Sequence, residues 1–273
     1  MRDDGAASIN GKMTMKKFCL GLAAIWLNAA PALAEEQHAA TAGAPAHWEY
    51  IGETGAEKWG ELGPEYALCA AGKMQSPIDL TDGFQAEGAP VSLDYQPSVL
   101  NIVHNGHTIQ ANFQPGCAMT VSGTRYALLQ VHFHAPSEHA LNGKRATMEA
   151  HFVHQSAEGK LAVLGVMMRQ GAENAALEAV WQHMPTLAGP AQDIAGAVID
   201  AKAFFPASLK YHRYMGSLTT PPCSEGVNWF VLDEPVNIGP AQLKKFVAAT
   251  GENARPLQPL NNRLVLNPAG SGQ

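Results

Sequence analysis

The stretch from Gln130 to His154, QVHFHAPSEHALNGKRATMEAHFVH, holds five of the eleven histidines of this 273-residue chain. His132 and His134 are two positions apart, and residues i and i+2 of a β-strand point to the same face. One strand therefore presents two imidazoles to one side of a sheet. By the same rule His151 shares a face with Glu149 on a second strand, so it can complete a site of three histidines.

Three imidazoles with one open position suit a catalytic zinc ion, whereas structural zinc is usually closed by four ligands, mostly cysteines. The stretch contains no cysteine. A ligating histidine normally donates its second N–H to a carboxylate, amide or carbonyl group. Gln130 and Glu149 each stand two residues before a candidate ligand. The sequence therefore predicts a metal site of His132, His134 and His151 supported by these two residues.

Other interpretations fit parts of the same stretch. A single histidine on an apolar strand is more often a hydrogen-bonded core residue than a ligand. Glu138, four positions after His134, also matches the cupin pattern, in which that glutamate ligates iron or manganese. Periodicity alone leaves this alternative open. A zinc peptidase is disfavoured because the sequence contains no H-E-x-x-H motif.

The N-terminus has the pattern of a secretory signal peptide. Lys16 and Lys17 precede an apolar run over residues 18–27, and Ala-Leu-Ala ends at Ala34. The run is too short to span a bilayer as a helix. We therefore predict that residues 1–34 are removed on export to the periplasm or the medium, without a membrane span.

The rest of the chain predicts one acidic domain. Met13 or Met15 is an alternative translation start. Residues 35–46 are rich in Ala, Glu and Gly, which predicts a flexible lead-in before the domain. Removing the signal leaves 239 residues with a formal net charge of about −8, so we expect no nucleic-acid partner. Residues 47–268 suffice for a single domain with a substantial core.

Frequent Gly and Pro between short apolar segments favour a β-rich domain. Residues 91–113 alternate in polarity around an Asn105-Gly106 turn. Helical spacing is clear at residues 173–184 and 239–249 and weaker at 191–201. We predict a mainly β (α+β) fold, a single domain with a large central, mostly antiparallel twisted sheet and short peripheral helices.

Three cysteines remain after the signal: Cys69, Cys117 and Cys223. An odd number in an oxidising compartment predicts one disulfide and one free thiol. Sequence alone allows three pairings.

Between His47 and Val265 the chain resembles the α-class carbonic anhydrases of exported bacterial type. Eight segments occur in the family's order: HWEY, QSPIDL, VHNGH, QVHFHAPSEH, EAHFVH, LAVLGV, GSLTTPPCSEGVNW and ARPLQPLNNR. One short motif would be weak, but eight in order are specific.

The resemblance implies a carbonate dehydratase, a lyase that hydrates carbon dioxide reversibly to bicarbonate and a proton by attack of zinc-bound hydroxide. His132, His134 and His151 match the ligands of one Zn²⁺ per chain, with Gln130 and Glu149 as their hydrogen-bond partners.

Four further residues match the family's reaction site. Thr219 matches the residue that accepts a hydrogen bond from the hydroxide and donates its own proton to Glu138, an acceptor only when ionised. This would make Glu138 an orienting residue rather than a cupin-type ligand. Thr220 matches a residue bordering the substrate, and His107 matches the proton shuttle, a role suited to a side chain that titrates near neutral pH.

The resemblance also assigns an apolar wall and a disulfide. The wall that accepts carbon dioxide would consist of Val153, Val163, Leu218 and Trp229, although an ordinary core would use the same residues. Cys69 and Cys223 match the family's disulfide, which leaves Cys117 as a buried free thiol. Sulfonamide and anion inhibitors are implied as ligands, and a homodimer is compatible with the family.

Some positions depart from the pattern or fall outside it. Ala135 stands where many members carry tryptophan, and Gln110 occupies a cavity position where the polar residue varies. A catalytically silent binding module is disfavoured because all three ligand histidines are present. The remaining histidines of the domain are predicted not to bind zinc, among them His104, His139, His154, His183 and His212.

Overall fold

The structure of the protein is a computed structural model that describes residues 46–81 and 83–269. The predicted signal peptide at residues 1–34 and residues 35–45 of the predicted lead-in lie outside the described residues. None of the helices formed by the described residues is both long and apolar enough to cross a membrane.

Short strands dominate the described part of the chain. They are β1 Asp79–Leu80, β2 Phe84–Glu87, β3 Ser92–Asp94, β4 Ser98–His104, β5 Ile109–Asn112, β6 Ala118–Val121, β7 Thr124–His134, β8 Ala140–Leu141, β9 Lys144–Arg145, β10 Met148–Ser156, β11 Leu161–Gln170, β12 Gln192–Ile199, β13 Tyr211–Ser217, β14 Glu225–Leu232, β15 Val236–Ile238 and β16 Leu266–Ala269. The α-helices are α1 Leu68–Ala71, α2 Ala175–Trp181 and α3 Pro240–Thr250, and the 3-10 helices are Ala56–Glu61, Pro64–Tyr66 and Ala201–Phe204.

Thirteen strands form one large sheet with the order β12-β4-β5-β7-β10-β11-β14-β13-β16-β2, and β3, β6 and β15 pair beside this path. Most neighbours are antiparallel, as predicted, but β11 pairs in parallel with β14 and β15, and β16 with β2. The sheet is therefore mixed. Strands β1, β8 and β9 form a second, small sheet.

Alternation along the central strands separates the core from the site. On β10, Ala150 and Phe152 point into the main apolar core, where Phe133 of β7 also lies. Helices α2 and α3 close this side, with the Trp181 and Phe246 rings stacked 5.7 Å apart. Burying such large rings supplies much of the stability of a core. The opposite faces of β7 and β10 carry the histidines.

The helix predictions were right at two segments and wrong at one. Helix α2 begins after Asn174, whose side chain accepts from the backbone N–H groups of Ala176 and Leu177. Residues 191–201 contain strand β12 rather than a helix. The strand pairs with β4 at both ends and bulges between, around Gly196 at φ +78°. The bulge leaves partly buried residues three apart, which imitates helical spacing.

His154 makes stability depend on pH. It is buried beside the Tyr95 hydroxyl, and burial lowers the pKa of His154 from 6.5 to about 4. As pH falls below 6.5 the unfolded chain takes up the proton first, so stability is lost down to about pH 4. Relative to His154→Gln, the wild type should lose about 3 kcal/mol between pH 7 and pH 4. Urea titrations at the two pH values measure this; a constant difference would contradict the assignment.

Candidate active site

Strand register brings three histidines together on one face of the sheet. Strands β7 and β10 pair antiparallel with His151 opposite His132 and Glu149 opposite His134. The three imidazole centroids lie 4.6 to 5.2 Å apart. One nitrogen from each ring lies within 4.8 Å of the others, so the three side chains can hold a metal ion.

Hydrogen bonds on the outer nitrogens orient two of these rings. His132 Nδ1 lies 2.8 Å from Gln130 Oε1, as the spacing predicted, and His134 Nδ1 lies 2.8 Å from the carbonyl oxygen of Asn253. Both partners are acceptors, so each Nδ1 carries the proton and each Nε2 keeps its lone pair. The two Nε2 atoms are the free donor atoms of these ligands.

The third ring is oriented by Glu149. Glu149 Oε1 lies 3.0 Å from His151 Nε2 and 2.8 Å from His139 Nδ1, while Oε2 accepts from the backbone N–H groups of Glu138 and His139 at 2.9 Å. Burial raises the pKa of Glu149, but the two neighbouring imidazoles outweigh it and hold the pKa well below 4.5. The carboxylate is therefore ionised and faces His151 Nε2 at hydrogen-bond distance, although among the described residues this nitrogen makes no hydrogen bond of good geometry.

His139 also lies close to Glu149 and His151, and these three could form a second metal-binding group. Its second nitrogen, Nε2, lies 2.7 Å from the Tyr214 hydroxyl. Both ring nitrogens of His139 are thus in hydrogen-bond contact with protein groups. This supports its predicted role outside the ligand set.

The electrostatics of two of the three rings suit a cation. Burial lowers the pKa of His132 well below 6.5, helped by the two neighbouring imidazoles, and burial also lowers that of His134. Burial lowers the pKa of His151 as well, but Glu149 outweighs it and the pKa ends above 6.5. His134 Nε2 is buried without a hydrogen-bond partner among the described residues. A divalent ion would satisfy this nitrogen, because metals bind neutral imidazole.

Glu138 is fully buried beside the three histidines. Its Oε1 accepts from the backbone N–H of Arg255 at 2.9 Å, and its Oε2 lies 3.5 Å from His134 Nε2 and 3.8 Å from His151 Nδ1. Among the described residues Oε2 has no hydrogen-bond partner, so the bond from Thr219 implied by the resemblance is not formed here. The carboxylate oxygen Oε2 faces the imidazoles of His134 and His151 instead.

A cavity of about 120 Å³ opens beside two of the histidines. Its walls are formed by Trp48, Tyr50, Asn105, His107, Thr108, Gln110, Gln130, His132, His134 and Thr220. Predicted site residues from three separate segments therefore meet in one space. Thr219 is buried next to Thr220, in the loop that follows β13.

His107 stands on the predicted turn between β4 and β5, where Gly106 has φ +95°. Asn105 Oδ1 accepts from the backbone N–H groups of His107 and Thr108, both at 3.0 Å. The His107 ring stacks on Trp48 at 3.6 Å. Burial lowers the pKa of His107 from 6.5, partly offset by Glu49.

The predicted apolar wall lies next to the histidines. Register pairs Val153 with Val163 and Val163 with Trp229 across three adjacent strands, and Leu218 packs against the same cluster. The Trp229 ring lies 4.8 Å from the His151 ring. A small apolar molecule could therefore contact this surface and the metal-binding side of the site together.

Cys69 and Cys223 form a disulfide, as the resemblance implies, and Cys117 is a buried free thiol. The bridge joins the N-terminal helical region to the loop that contains Thr219 and Thr220. It is consistent with an exported protein, since disulfides persist in oxidising compartments.

Removing this bridge should destabilise the protein. The double variant Cys69→Ala/Cys223→Ala is expected to lose about 2–5 kcal/mol of unfolding free energy, because the bridge closes a long loop of the unfolded chain. Urea unfolding measures the loss. Dithiothreitol should bring the wild type close to the variant and leave the variant itself unchanged. Equal stability of the oxidised wild type and the variant would contradict this prediction.

Two buried residues that support the site escaped the sequence analysis. Asn253 orients His134 through its carbonyl, and its side chain accepts from Ala135 N and donates to the carbonyls of His107 and Phe133. Arg255 donates to Glu138 through its backbone N–H. Asn253 lies 119 residues from His134, and its local sequence gives no sign of this contact. For Arg255, the available signal was its place in the ARPLQPLNNR motif.

The other histidines named in the sequence analysis lie outside the set formed by His132, His134 and His151. His104 Nε2 lies 3.0 Å from the Ala249 carbonyl, His212 Nδ1 lies 2.8 Å from Asp233, and His183 is exposed. None of them, nor His154, joins the metal-binding groups found among the described residues.

Comparison with known proteins agrees with this geometry. The family model described as eukaryotic-type carbonic anhydrase matches residues 54–268. A carbonic anhydrase of Nostoc sp. is 44% identical over 225 residues, covering 81% of this chain and 85% of the relative.

Solved structures agree as well. The α-carbonic anhydrase from Thermovibrio ammonificans, solved with the inhibitor sulfanilamide, has a TM-score of 0.79 and 48% identity, covering 81% of this chain and 99% of that one. The Photobacterium profundum α-carbonic anhydrase has a TM-score of 0.76 and 46% identity, covering 81% and 100%.

A mixed β-sheet that carries three convergent histidines beside an apolar wall defines a metal-dependent lyase of the carbonic anhydrase type. The chain belongs to the α-carbonic anhydrase family. Its activity class is therefore carbon dioxide hydration.

Proposed function

We propose that the protein hydrates carbon dioxide reversibly to bicarbonate and a proton with one Zn²⁺ per chain. The observation that carries the proposal is the buried Nε2 of His134, which has no hydrogen-bond partner among the described residues and converges with donor atoms of His132 and His151. Three nitrogen ligands with an open position suit catalytic zinc. Zinc, when bound, supplies a Lewis acid that activates water as a nucleophile near neutral pH.

The residues around the ligands keep their geometry. Gln130, Glu149 and the Asn253 carbonyl hold the three rings in the tautomers that leave one donor nitrogen free on each. In our proposal the hydroxyl of Thr219 donates to Glu138, so that it can only accept from the attacking oxygen. The structure does not form this bond, but it leaves Oε2 of Glu138 without a hydrogen-bond partner among the described residues, and a buried carboxylate oxygen needs a donor.

Carbon dioxide is proposed to lie against Val153, Val163, Leu218 and Trp229, with Thr220 at its polar edge. The molecule is apolar and accepts hydrogen bonds poorly, so an apolar surface beside the nucleophile holds it without fixing it too tightly. Sulfonamides and inorganic anions are proposed to bind at the position on the zinc ion that the three histidines leave open. Sulfanilamide in the Thermovibrio ammonificans relative supports this.

His107 is proposed to carry the released proton between the cavity and the solvent. Its ring lies in the cavity wall with His132 and is half-buried, so it can exchange protons with both sides. We expect His107→Ala to lower kcat about a hundredfold in dilute buffer, the lower end of the range of general acid–base catalysis. Added imidazole should restore part of the rate, and kcat/KM should be unchanged. Stopped-flow hydration at two buffer concentrations measures both; an unaltered kcat would exclude this role.

The proposal as a whole is tested by removing and restoring the metal. Protein dialysed against dipicolinate should lose carbon dioxide hydration, and one equivalent of zinc should restore it. Sulfanilamide should inhibit the restored activity. Hydration that survives complete removal of zinc would contradict the proposal, as would recovery with iron or manganese but not zinc.

We also propose that residues 1–34 direct export to the periplasm or medium and that residues 47–268 form the catalytic domain. The disulfide supports the exported location. N-terminal sequencing of the exported protein tests the first point, since it should begin at Glu35. A homodimer stays a prediction, for which the molar mass in solution is the measurement.

A further inference from the structure

A row of polar side chains crosses the cavity face of the sheet from its edge. Asn101 Nδ2 donates to Asp193 Oδ1 at 2.7 Å, Asn112 Nδ2 donates to Asn101 Oδ1 at 2.7 Å, and Gln110 Nε2 donates to Asn112 Oδ1 at 2.6 Å. Asp193 lies opposite Asn101, and Asn101 opposite Asn112, in the strand register. Gln110 is two residues before Asn112 and therefore on the same face. We call these four residues the amide row.

The amide row has a direction, and Asp193 sets it. An ionised carboxylate can only accept hydrogen bonds, so Asn101 must turn its NH2 group towards Asp193 and its oxygen towards Asn112. Asn112 must then donate its NH2 group to the oxygen of Asn101, and Gln110 must donate its NH2 group to the oxygen of Asn112. Every amide in the row consequently points its NH2 group towards the Asp193 end of the row.

At the other end, the row leaves the oxygen of Gln110 available to the cavity. Gln110 Nε2 is engaged by Asn112, whereas Oε1 receives one long contact of 3.5 Å from Asn105 Nδ2. Gln110 lines the same cavity as His132 and His107. Asn105 is also the residue whose Oδ1 holds the backbone of the His107 turn. The amide of Gln110 therefore faces the route between the metal ligands and the proposed shuttle, His107.

We propose that Asp193 is a positioning residue for proton transfer, which it influences through Asn101, Asn112 and Gln110. The inference rests on the proposed role of His107. A water molecule that donates to Gln110 Oε1 keeps its lone pairs free to accept from the next water. If the NH2 group of Gln110 pointed into the cavity instead, it would donate to a lone pair of this water and reverse the orientation of the water. The acceptor end of Gln110 thus favours a water chain aligned for transfer towards His107.

A purely structural role for the row would have different consequences. Asp193 is exposed on edge strand β12, where a hydrogen bond contributes little to folding. Asp193→Asn keeps the size and can keep a hydrogen bond, but it allows the whole row to reverse. If Asp193→Asn slows proton transfer, the cause is therefore the direction of the hydrogen bonds in the amide row and not a loss of packing.

The test compares Asp193→Asn and Asp193→Ala with a matched control, Asp94→Asn. Asp94 is also an exposed sheet carboxylate, but it pairs with Arg125 and does not belong to the row. We expect both Asp193 variants to lower kcat roughly threefold in dilute buffer, the effect of one misplaced hydrogen bond, with kcat/KM unchanged. Concentrated imidazole should abolish the difference. The control should match the wild type, and all melting temperatures should agree closely.

The same variants in a His107→Ala background separate the two proposals. There, Asp193→Asn should cause no further loss, because the two residues serve one step. A slow His107→Ala single variant combined with unchanged Asp193 variants would overturn the amide-row inference and leave the shuttle intact. A normal His107→Ala variant would overturn both. A parallel fall of kcat and kcat/KM in Asp193→Asn would mean a structural role and also overturn the inference.

Discussion

The variant His151→Ala should retain less than about one-tenth of the wild-type zinc and lose at least about 10³-fold in kcat/KM for carbon dioxide hydration. The physical reason is the loss of one of three ligands, which leaves a site that cannot hold the ion tightly. Zinc content by mass spectrometry and hydration by stopped flow measure the two effects. Glu149 keeps its contact with His139, so the fold should survive the substitution.

The matched control is His183→Ala, which removes an exposed imidazole outside the site. It should keep full zinc and full activity. Circular dichroism and a melting curve establish that both variants are folded. If His151→Ala failed to fold, His132→Ala would take its place, since His132 is only partly buried and its partner Gln130 is neutral. Full zinc and undiminished hydration in a folded ligand variant would refute the ligand assignment.

The second large effect is expected for Glu138→Gln. Zinc should remain bound, while kcat/KM should fall about 10²- to 10³-fold, similar to the loss of one preorganised hydrogen bond in an active site. In the proposed arrangement Thr219 donates to Glu138. A glutamine offers an NH2 group as well as an oxygen, so Thr219 would no longer be forced to donate to residue 138. The attacking oxygen would then lose its fixed orientation. Zinc analysis and stopped-flow kinetics on the same sample separate binding from chemistry.

Variants of Thr219 provide the controls for this effect. Thr219→Ser keeps the hydroxyl and should lose little activity, whereas Thr219→Val should resemble Glu138→Gln. The double variant Glu138→Gln/Thr219→Val should be hardly worse than either single one, because in the proposed arrangement the two side chains act as one unit. Loss of the metal in Glu138→Gln would instead identify Glu138 as a ligand of the cupin kind.

Local periodicity made the histidine set predictable from the sequence. The i, i+2 rule placed His132 and His134 on one face, and the β7–β10 register then brought His151 opposite His132. The pairing of Gln130 with His132 followed from the same rule. Hairpin turns such as Asn105-Gly106 were readable because glycine tolerates the positive φ that the turn requires.

Contacts between distant segments were not predictable in this way. Asn253 reaches His134 from the far end of the chain, and the parallel pairing of β11 with β14 joins residues such as Ala162 and Asn228, which are 66 positions apart. Neither leaves a periodic signal. Strand β12 was missed because its bulge breaks the alternation, and pairing with β4 overrides the local pattern. The amide row requires the register of three strands, which sequence alone does not fix.

The central claim is that three imidazoles converge on a single zinc ion and leave one position open. A crystal structure of the zinc-loaded protein, with anomalous data on both sides of the zinc edge, tests it most directly. We expect one anomalous peak per chain, bonded to Nε2 of His132, Nε2 of His134 and Nδ1 of His151, with no fourth protein ligand. A peak elsewhere, or one that Glu138 also ligates, would contradict it.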